Sequence, residues 1–250
     1  MNIYLNNPYL IRTNDSDSQL FVAFFSNSSY CLHVNNITGG NFMANVLIIQ
    51  AHPKTEDFSY SLTVADSFIS TYKEKNPEDN VTIRNVYTDG VPPINDITFD
   101  AWLKLKQANS HDLSSIQQEM MTKHHDWLEE FINHDKYVFV NPMYNHFLPA
   151  EMKQYIDLVS VARKTFKYTE DGLVGLLPDR KVVHIQAAGG YYHPNHQTDL
   201  GAEYLKNTLN RFGCSEIDSI YIEGMSAQTE KAEDILKAAK EKAKVIANTF

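Results

Sequence analysis

From Val46 onward the chain alternates between two hydrophobic rhythms. Short unbroken apolar runs, Val46-Leu47-Ile48-Ile49, Tyr137-Val138-Phe139-Val140 and Val182-Val183-His184-Ile185-Gln186, read as strands buried on both faces. Residues 81–86 alternate as an edge strand does, and residues 217–222 supply a fifth strand. Between the strands, apolar residues recur at helical spacing. Leu62, Ala65, Phe68, Ile69 and Tyr72 share one side of a helix that follows Ser59-Tyr60-Ser61. Further helices are predicted near residues 99–107, 116–133, 150–161, 199–212 and 232–247. Pro92-Pro93 breaks the chain before the first two of these, Gly213 is placed to cap the helix ending at Phe212, and the last is a charged amphipathic cover for a sheet. Residues 164–177, with Thr165, Phe166 and Tyr168 around a Glu170-Asp171-Gly172 turn, read as an excursion or small hairpin outside the core.

Five strands separated by helices predict a three-layer α/β fold, because right-handed crossovers put helices on both faces of a parallel sheet. The order 2-1-3-4-5 is expected, which is flavodoxin-like and opens a ligand crevice beside the first and third strands. This domain spans residues 43–250. The first 42 residues carry no sustained helical or strand period. Their longest apolar piece, residues 20–25, lacks the basic flank and cleavage site of a secretory signal. Gly39-Gly40 can be encoded by a ribosome-binding sequence just upstream of the Met43 codon. The expectation is that translation starts at Met43 and residues 1–42 are mis-annotated leader, with a genuine disordered tail as the alternative.

Composition narrows the function classes. With 250 residues, 43% of them hydrophobic, the chain can bury a full core. A formal net charge of -9 argues against a nucleic-acid surface and implies that any phosphate is held by backbone N–H groups and hydroxyls. Two cysteines, Cys31 and Cys214, make no disulfide framework and fit a reducing, cytoplasmic setting. No apolar run reaches the roughly 18–20 residues that span a bilayer, so no membrane partner is expected.

Candidate chemistry gathers where strands end. After the third strand, Asn141-Pro142-Met143-Tyr144-Asn145-His146-Phe147-Leu148-Pro149 combines restricted backbone with flat and soft side chains, a surface suited to a planar ring system. Ser59 and Ser61 stand where a helix begins. Alone they favour simple N-capping, worth roughly 1 kcal/mol, over a phosphate site. After the fourth strand, Ala187-Ala188-Gly189-Gly190 is a small, uncharged floor that lets backbone N–H groups approach a ligand. His193-x-x-His196 and His124-His125 lack companion Cys or carboxylate ligands at familiar spacing and read as structural or solvent-exposed. Cys214 reads as a small buried hydrophobe. There is no P-loop, no dinucleotide fingerprint and no G-x-S-x-G elbow.

Val46-Leu47-Ile48-Ile49, Ser59-Tyr60-Ser61, Pro142-Met143-Tyr144-Asn145, Lys164-Thr165-Phe166-Lys167-Tyr168-Thr169, Gly175-Leu176-Leu177 and Gly189-Gly190 follow one another in the order and spacing of a known family. From Met43 to the end, the chain resembles the FMN-dependent NADH-azoreductases, also called FMN-dependent NADH:quinone oxidoreductases. The resemblance implies a homodimer with one FMN per subunit near the interface. It implies ping-pong hydride transfer, in which NADH reduces the flavin and leaves before a quinone or aromatic azo compound takes two electrons. By position, Ser59, Tyr60 and Ser61 would hold the FMN phosphate, and Met143, Tyr144, Asn145 and His146 would line the ribityl chain and ring. Ala187, Ala188, Gly189 and Gly190 would approach the pyrimidine edge, and Phe166 and Tyr168 would shape the substrate side. No side chain is required as a catalytic nucleophile, and no metal is implied.

Three features depart from the family pattern. His146 stands where Phe is usual, Ala187-Ala188 stands where Ser-Arg is common, and Arg211 occupies a helix position that is often apolar. Loss of the cation at 188 leaves His146 or backbone N–H groups to stabilise a reduced flavin. Rival readings are a general flavin or nitro reductase of the same fold, and a non-catalytic flavodoxin-like electron carrier. A receiver-type signalling domain fits poorly, because the first strand ends in Gln50-Ala51-His52 and not in the paired acids that hold Mg²⁺.

Overall fold

The computed structural model describes residues 43–54, 59–107, 112–193 and 199–250; the expectations for residues 1–42 and for His196 lie outside these. The chain runs β1 (Asn45–Gln50), α1 (Tyr60–Lys75), β2 (Asn80–Asn85), α2 (Asp96–Lys106), α3 (Ser115–Ile132), β3 (Lys136–Pro142), α4 (Ala150–Val159), β4 (Phe166–Thr169), β5 (Gly172–Gly175), β6 (Lys181–Ala187), α5 (Leu200–Phe212), β7 (Glu216–Ile222) and α6 (Ala232–Ala247). One parallel sheet has the order β2-β1-β3-β6-β7, with β2 and β7 at its edges. This differs in numbering from the expected 2-1-3-4-5, because residues 166–175 contribute two strands that pair only with each other, antiparallel.

The unbroken apolar runs follow from burial on both faces. Val46 and Ile48 of β1, Val138 and Val140 of β3, and Val183 and Ile185 of β6 meet α1 and α6 in one core. Their alternates Leu47, Ile49, Tyr137, Phe139 and Val182 meet α3, α4 and α5 in the other. Each fully buried Ile, Leu or Val contributes about 1.5–3 kcal/mol. The α2 helix lies outside this sandwich, packed on α3 through Ala101, Leu105 and Met121.

Helix ends depart from the apolar periodicity where polar caps act. The α2 and α3 helices begin at Asp96 and Ser115, ahead of their first apolar residues, because the Asn95 and Ser114 side chains accept the Thr98 and Gln117 N–H groups. The α4 helix stops at Val159, short of the expected 161: the Thr165 hydroxyl donates to the Val159 carbonyl over 2.9 Å and turns the chain toward the hairpin. Gly213 closes α5 with φ +103.

Candidate functional site

In a parallel sheet every strand points its carboxyl end at the same rim. Because β1, β3 and β6 are neighbours, the loops leaving them start within about 10 Å of one another. At this rim α1 begins. Ser59 caps it, accepting the Leu62 N–H over 3.3 Å, and the Ser59 and Ser61 hydroxyls lie 3.1 Å apart. Both serines are buried, Tyr60 between them is half-exposed, and the first turn holds no acidic residue. The Tyr60 and Ser61 N–H groups have no carbonyl to meet within the helix, so they and the helix dipole favour an anion here.

The loop after β3 folds back on itself. Tyr144 and Phe147 exchange two backbone hydrogen bonds of 2.9 Å, and the residues between them, Asn145 and His146, have φ of 51 and 63. Two consecutive left-handed residues make a type I′ turn, which Asn accepts more readily than His. The turn is held from three sides. The Met143 N–H donates to the Ala187 carbonyl over 2.7 Å, the Gly201 N–H donates to the His146 carbonyl over 3.3 Å, and the His146 ring meets Tyr192 edge-on at 5.5 Å.

The segment after β6 leans on the loop after β7. Carbonyls of Ala188, Gly189 and Gly190 accept N–H groups from residues 224–227, and the Ala188 N–H donates to Ile222. Among the described residues, no backbone carbonyl takes the Gly189 or Gly190 N–H, which leaves these two donors for a ligand.

Beneath the loops lies a polar chain that apolar periodicity did not reveal. The His184 Nε2 lies 2.9 Å from Asn141 Oδ1, Asn141 Nδ2 donates to Gln186 Oε1 over 3.2 Å, and Gln186 Nε2 donates to Asp199 Oδ2. Asp199 Oδ1 in turn accepts the Ala202 N–H over 2.9 Å and caps α5. All four side chains are buried. Burial pushes the His184 imidazole down to about 3, so it stays neutral and serves as the donor to Asn141. At the far end, His193 Nε2 lies 3.8 Å from Asp199, its Nδ1 lies 2.8 Å from Glu223, and its ring stacks on Tyr221 at 3.7 Å. The available signal was the presence of Asn141, His184 and Gln186 inside otherwise apolar strands, since buried polar groups require partners.

The sequence pattern of the flavodoxin-like fold family matches residues 44–246. A curated relative, "FMN-dependent NADH:quinone oxidoreductase 2" of Lactiplantibacillus plantarum, is 50% identical over 211 residues, covering 83% of this chain and 100% of its own. "FMN-dependent NADH:quinone oxidoreductase 1" of Lactococcus lactis is 43% identical over 83% of this chain and 98% of its own. Among solved structures, an FMN-dependent NADH-azoreductase from Bacillus anthracis in complex with FMN is 34% identical, covers 82% of this chain and 100% of its own, and superposes with a TM-score of 0.75. The chain belongs to the FMN-dependent NADH:quinone oxidoreductase family.

Two residues that the family resemblance assigns to the substrate side lie elsewhere in this subunit. The crossover from β3 through α4 delivers the chain to the amino-terminal rim of the sheet, and the β4–β5 hairpin forms there. Phe166 is buried and stacks on Phe212 at 6.3 Å, at the carboxyl end of α5. Gly175 lies so near Gly213 that a Cβ would fall 2.3 Å from its nitrogen, which locks the hairpin to that helix end. The α5 helix spans roughly 20 Å, and its other end carries Asp199 and the 144–147 turn. Phe166 and Tyr168 therefore do not face the rim formed by their own chain; Tyr168 is 67% exposed. Arg211 stands beside them with its guanidinium 5.2 Å from the Phe166 ring. There it complements the carboxyl end of the helix dipole. No group of three or more possible metal ligands occurs among the described residues.

Proposed function

We propose that this chain is an FMN-dependent reductase that takes two electrons from NADH and delivers them to quinones and aromatic azo compounds. The names of its relatives support the reading. The observation that carries it is the shared rim: an anion cradle at the start of α1 and a backbone floor at Gly189-Gly190 flank a turn rich in aromatic side chains. This donor set suits a phosphorylated planar ring. The Tyr60 and Ser61 N–H groups and the Ser59 and Ser61 hydroxyls hold the phosphate without a cation, in keeping with the acidic chain. Met143, Tyr144, Asn145 and His146 cover the ribityl chain and ring, and Ala187, Ala188, Gly189 and Gly190 meet the pyrimidine edge.

Bound FMN supplies the redox chemistry. The protein contributes position, exclusion of water and electrostatic tuning. Gly189 and Gly190 donate N–H groups toward the ring edge, while Ala187 and Ala188 keep side-chain bulk and charge away from it. Without a cation at 188, those donors and the His146 ring would be the groups that favour negative charge on a bound ring. Donor and acceptor use one open face in turn, a ping-pong sequence that needs no side-chain nucleophile.

The active form is a homodimer. Tyr168 stands exposed at the rim opposite its own slot, so its assignment to the substrate side fits a hairpin that reaches the slot of a second copy. A cytoplasmic setting fits a chain whose two cysteines make no disulfide framework. The deciding experiment is an absorption spectrum of the purified protein, followed by anaerobic NADH and then a quinone. Yellow colour that bleaches with NADH and returns with quinone is expected. A folded protein that takes up no FMN, or holds FMN that NADH does not bleach, would overturn the reading.

A further inference from the structure

The His184–Asn141–Gln186–Asp199 chain reaches the segments after β3 and β6 and the start of α5, and His193 extends it to the segment after β7. Asn141 precedes Pro142 at the end of β3, where the aromatic turn starts. Gln186 precedes Ala187 at the end of β6, where the backbone floor starts. Asp199 caps α5, whose first turn carries the Gly201 N–H bonded to the His146 carbonyl. Glu223 follows β7 and leads into residues 224–227, which bond to the floor. His193 lies three residues beyond Gly190 of the floor. Its backbone N–H donates to Glu223 over 3.1 Å, and its ring lies between Glu223 and Asp199.

The direction of the bonds is uniform. Neutral His184 donates to Asn141, Asn141 to Gln186, and Gln186 to the Asp199 carboxylate, which also takes a helix N–H. Each amide has one defined orientation in such a chain, because reversing one would oppose donor to donor at the next link. A buried carboxylate terminus makes the last bonds charge-assisted, the strong kind. A fully satisfied buried network of this sort fixes the relative position of the elements it joins.

We infer that His193, Asp199 and Glu223 clasp the loops after β3, β6 and β7 through this chain, and are positioning residues for the ring-binding half of the slot. The inference rests on the flavin reading above. The anion cradle at Ser59 lies on α1 and receives no bond from the chain. Loss of the clasp therefore weakens binding of the ring and leaves phosphate binding alone.

The test uses the full-length apoprotein, with FMN and riboflavin titrated separately by quenching of flavin fluorescence. His193→Phe keeps the stack on Tyr221 and removes both ring nitrogens. Asp199→Asn keeps an acceptor for the Ala202 N–H and turns an amide donor against Gln186. Each variant is expected to weaken FMN and riboflavin by the same factor, about tenfold, as for loss of a hydrogen bond to a charged group. The apoprotein melting temperature of His193→Phe should stay within about 2 °C of the parent, as befits a partly exposed loop residue. Adding Gln186→Glu to Asp199→Asn restores donor opposite acceptor and should recover most of the lost affinity. If His193→Phe folds and binds both flavins within about twofold of the parent, the inference is overturned. It is equally overturned if only FMN is weakened. Should Asp199→Asn fail to fold, His193→Phe decides alone. A parent that binds neither flavin refutes the functional reading itself, and this inference with it.

Discussion

Gly201 sits against the backbone of Phe147 so closely that a Cβ on it would lie 2.8 Å from the Phe147 carbonyl carbon and 2.7 Å from the Leu148 nitrogen. This contact seats the first turn of α5 on the aromatic turn after β3. Gly201→Ala should gain about 1 kcal/mol in helix propensity. It should lose more, about 1–3 kcal/mol, through the forced shift of two backbones. The expected outcome is a lower melting temperature together with weaker FMN binding, read by thermal unfolding and by flavin titration. A higher melting temperature with unchanged binding would mean that the two segments separate freely.

His146 pays for its left-handed backbone (φ 63) with roughly 1–2 kcal/mol of strain. His146→Gly should therefore raise the apoprotein melting temperature. The same change removes the ring, so the flavin midpoint potential should move to more negative values. His146→Phe separates the two effects, since it retains an aromatic ring and loses the polar nitrogens. If His146→Phe leaves both midpoint potential and turnover unaltered, His146 has no part in stabilising the reduced cofactor.

Ser59 acts on both stability and ligand. Ser59→Ala should cost about 1 kcal/mol through loss of the N-cap. It should also weaken FMN while leaving riboflavin untouched, the opposite of the pattern expected for His193 and Asp199. Parallel titrations with the two flavins read this directly, and equal weakening of both would remove Ser59 from the phosphate cradle.

Acid stability should carry the mark of His184. Its imidazole is held near 3 by burial, against an ordinary value of 6.5. Below pH 6.5 the unfolded chain takes a proton that the folded chain refuses. Stability is thus fully present above 6.5 and is lost as pH falls toward 3, at up to about 1.4 kcal/mol per pH unit for one proton. His184→Gln keeps a donor for Asn141 and removes the titration. Urea unfolding between about pH 7 and pH 4.5 should show a shallower decline in the variant. Parallel declines would assign the acid sensitivity to other groups.

Much of the fold was legible because each strand of the sheet interior is buried on both faces. Val46-Leu47-Ile48-Ile49 and Val182-Val183 admit little but apolar residues and announce themselves. Helix starts were less legible, because Asn95 and Ser114 act through local side-chain hydrogen bonds that leave no periodic trace. The 144–147 turn and the α1 cap lie on loops that the sequence already singled out. The Asn141–Gln186–Asp199 links, in contrast, join residues 45 and 13 positions apart: the parallel register of β3 with β6 pairs the first two, and the start of α5 brings Asp199 to the third place. The location of Phe166 and Tyr168 was hidden for a related reason. A hairpin that falls between a crossover helix and the next parallel strand lies at the amino-terminal rim, and the assignment by resemblance did not use that topology.

The two border strands carry a consequence of their own. On β7, Glu216 and Asp218 stand exposed, and on β2 the Arg84 guanidinium is drawn to Glu130 at 2.6 Å. Like charges stacked along one border and a committed cation along the other discourage strand-to-strand docking. Two copies of this subunit are thereby discouraged from zipping border to border into a continuous ribbon.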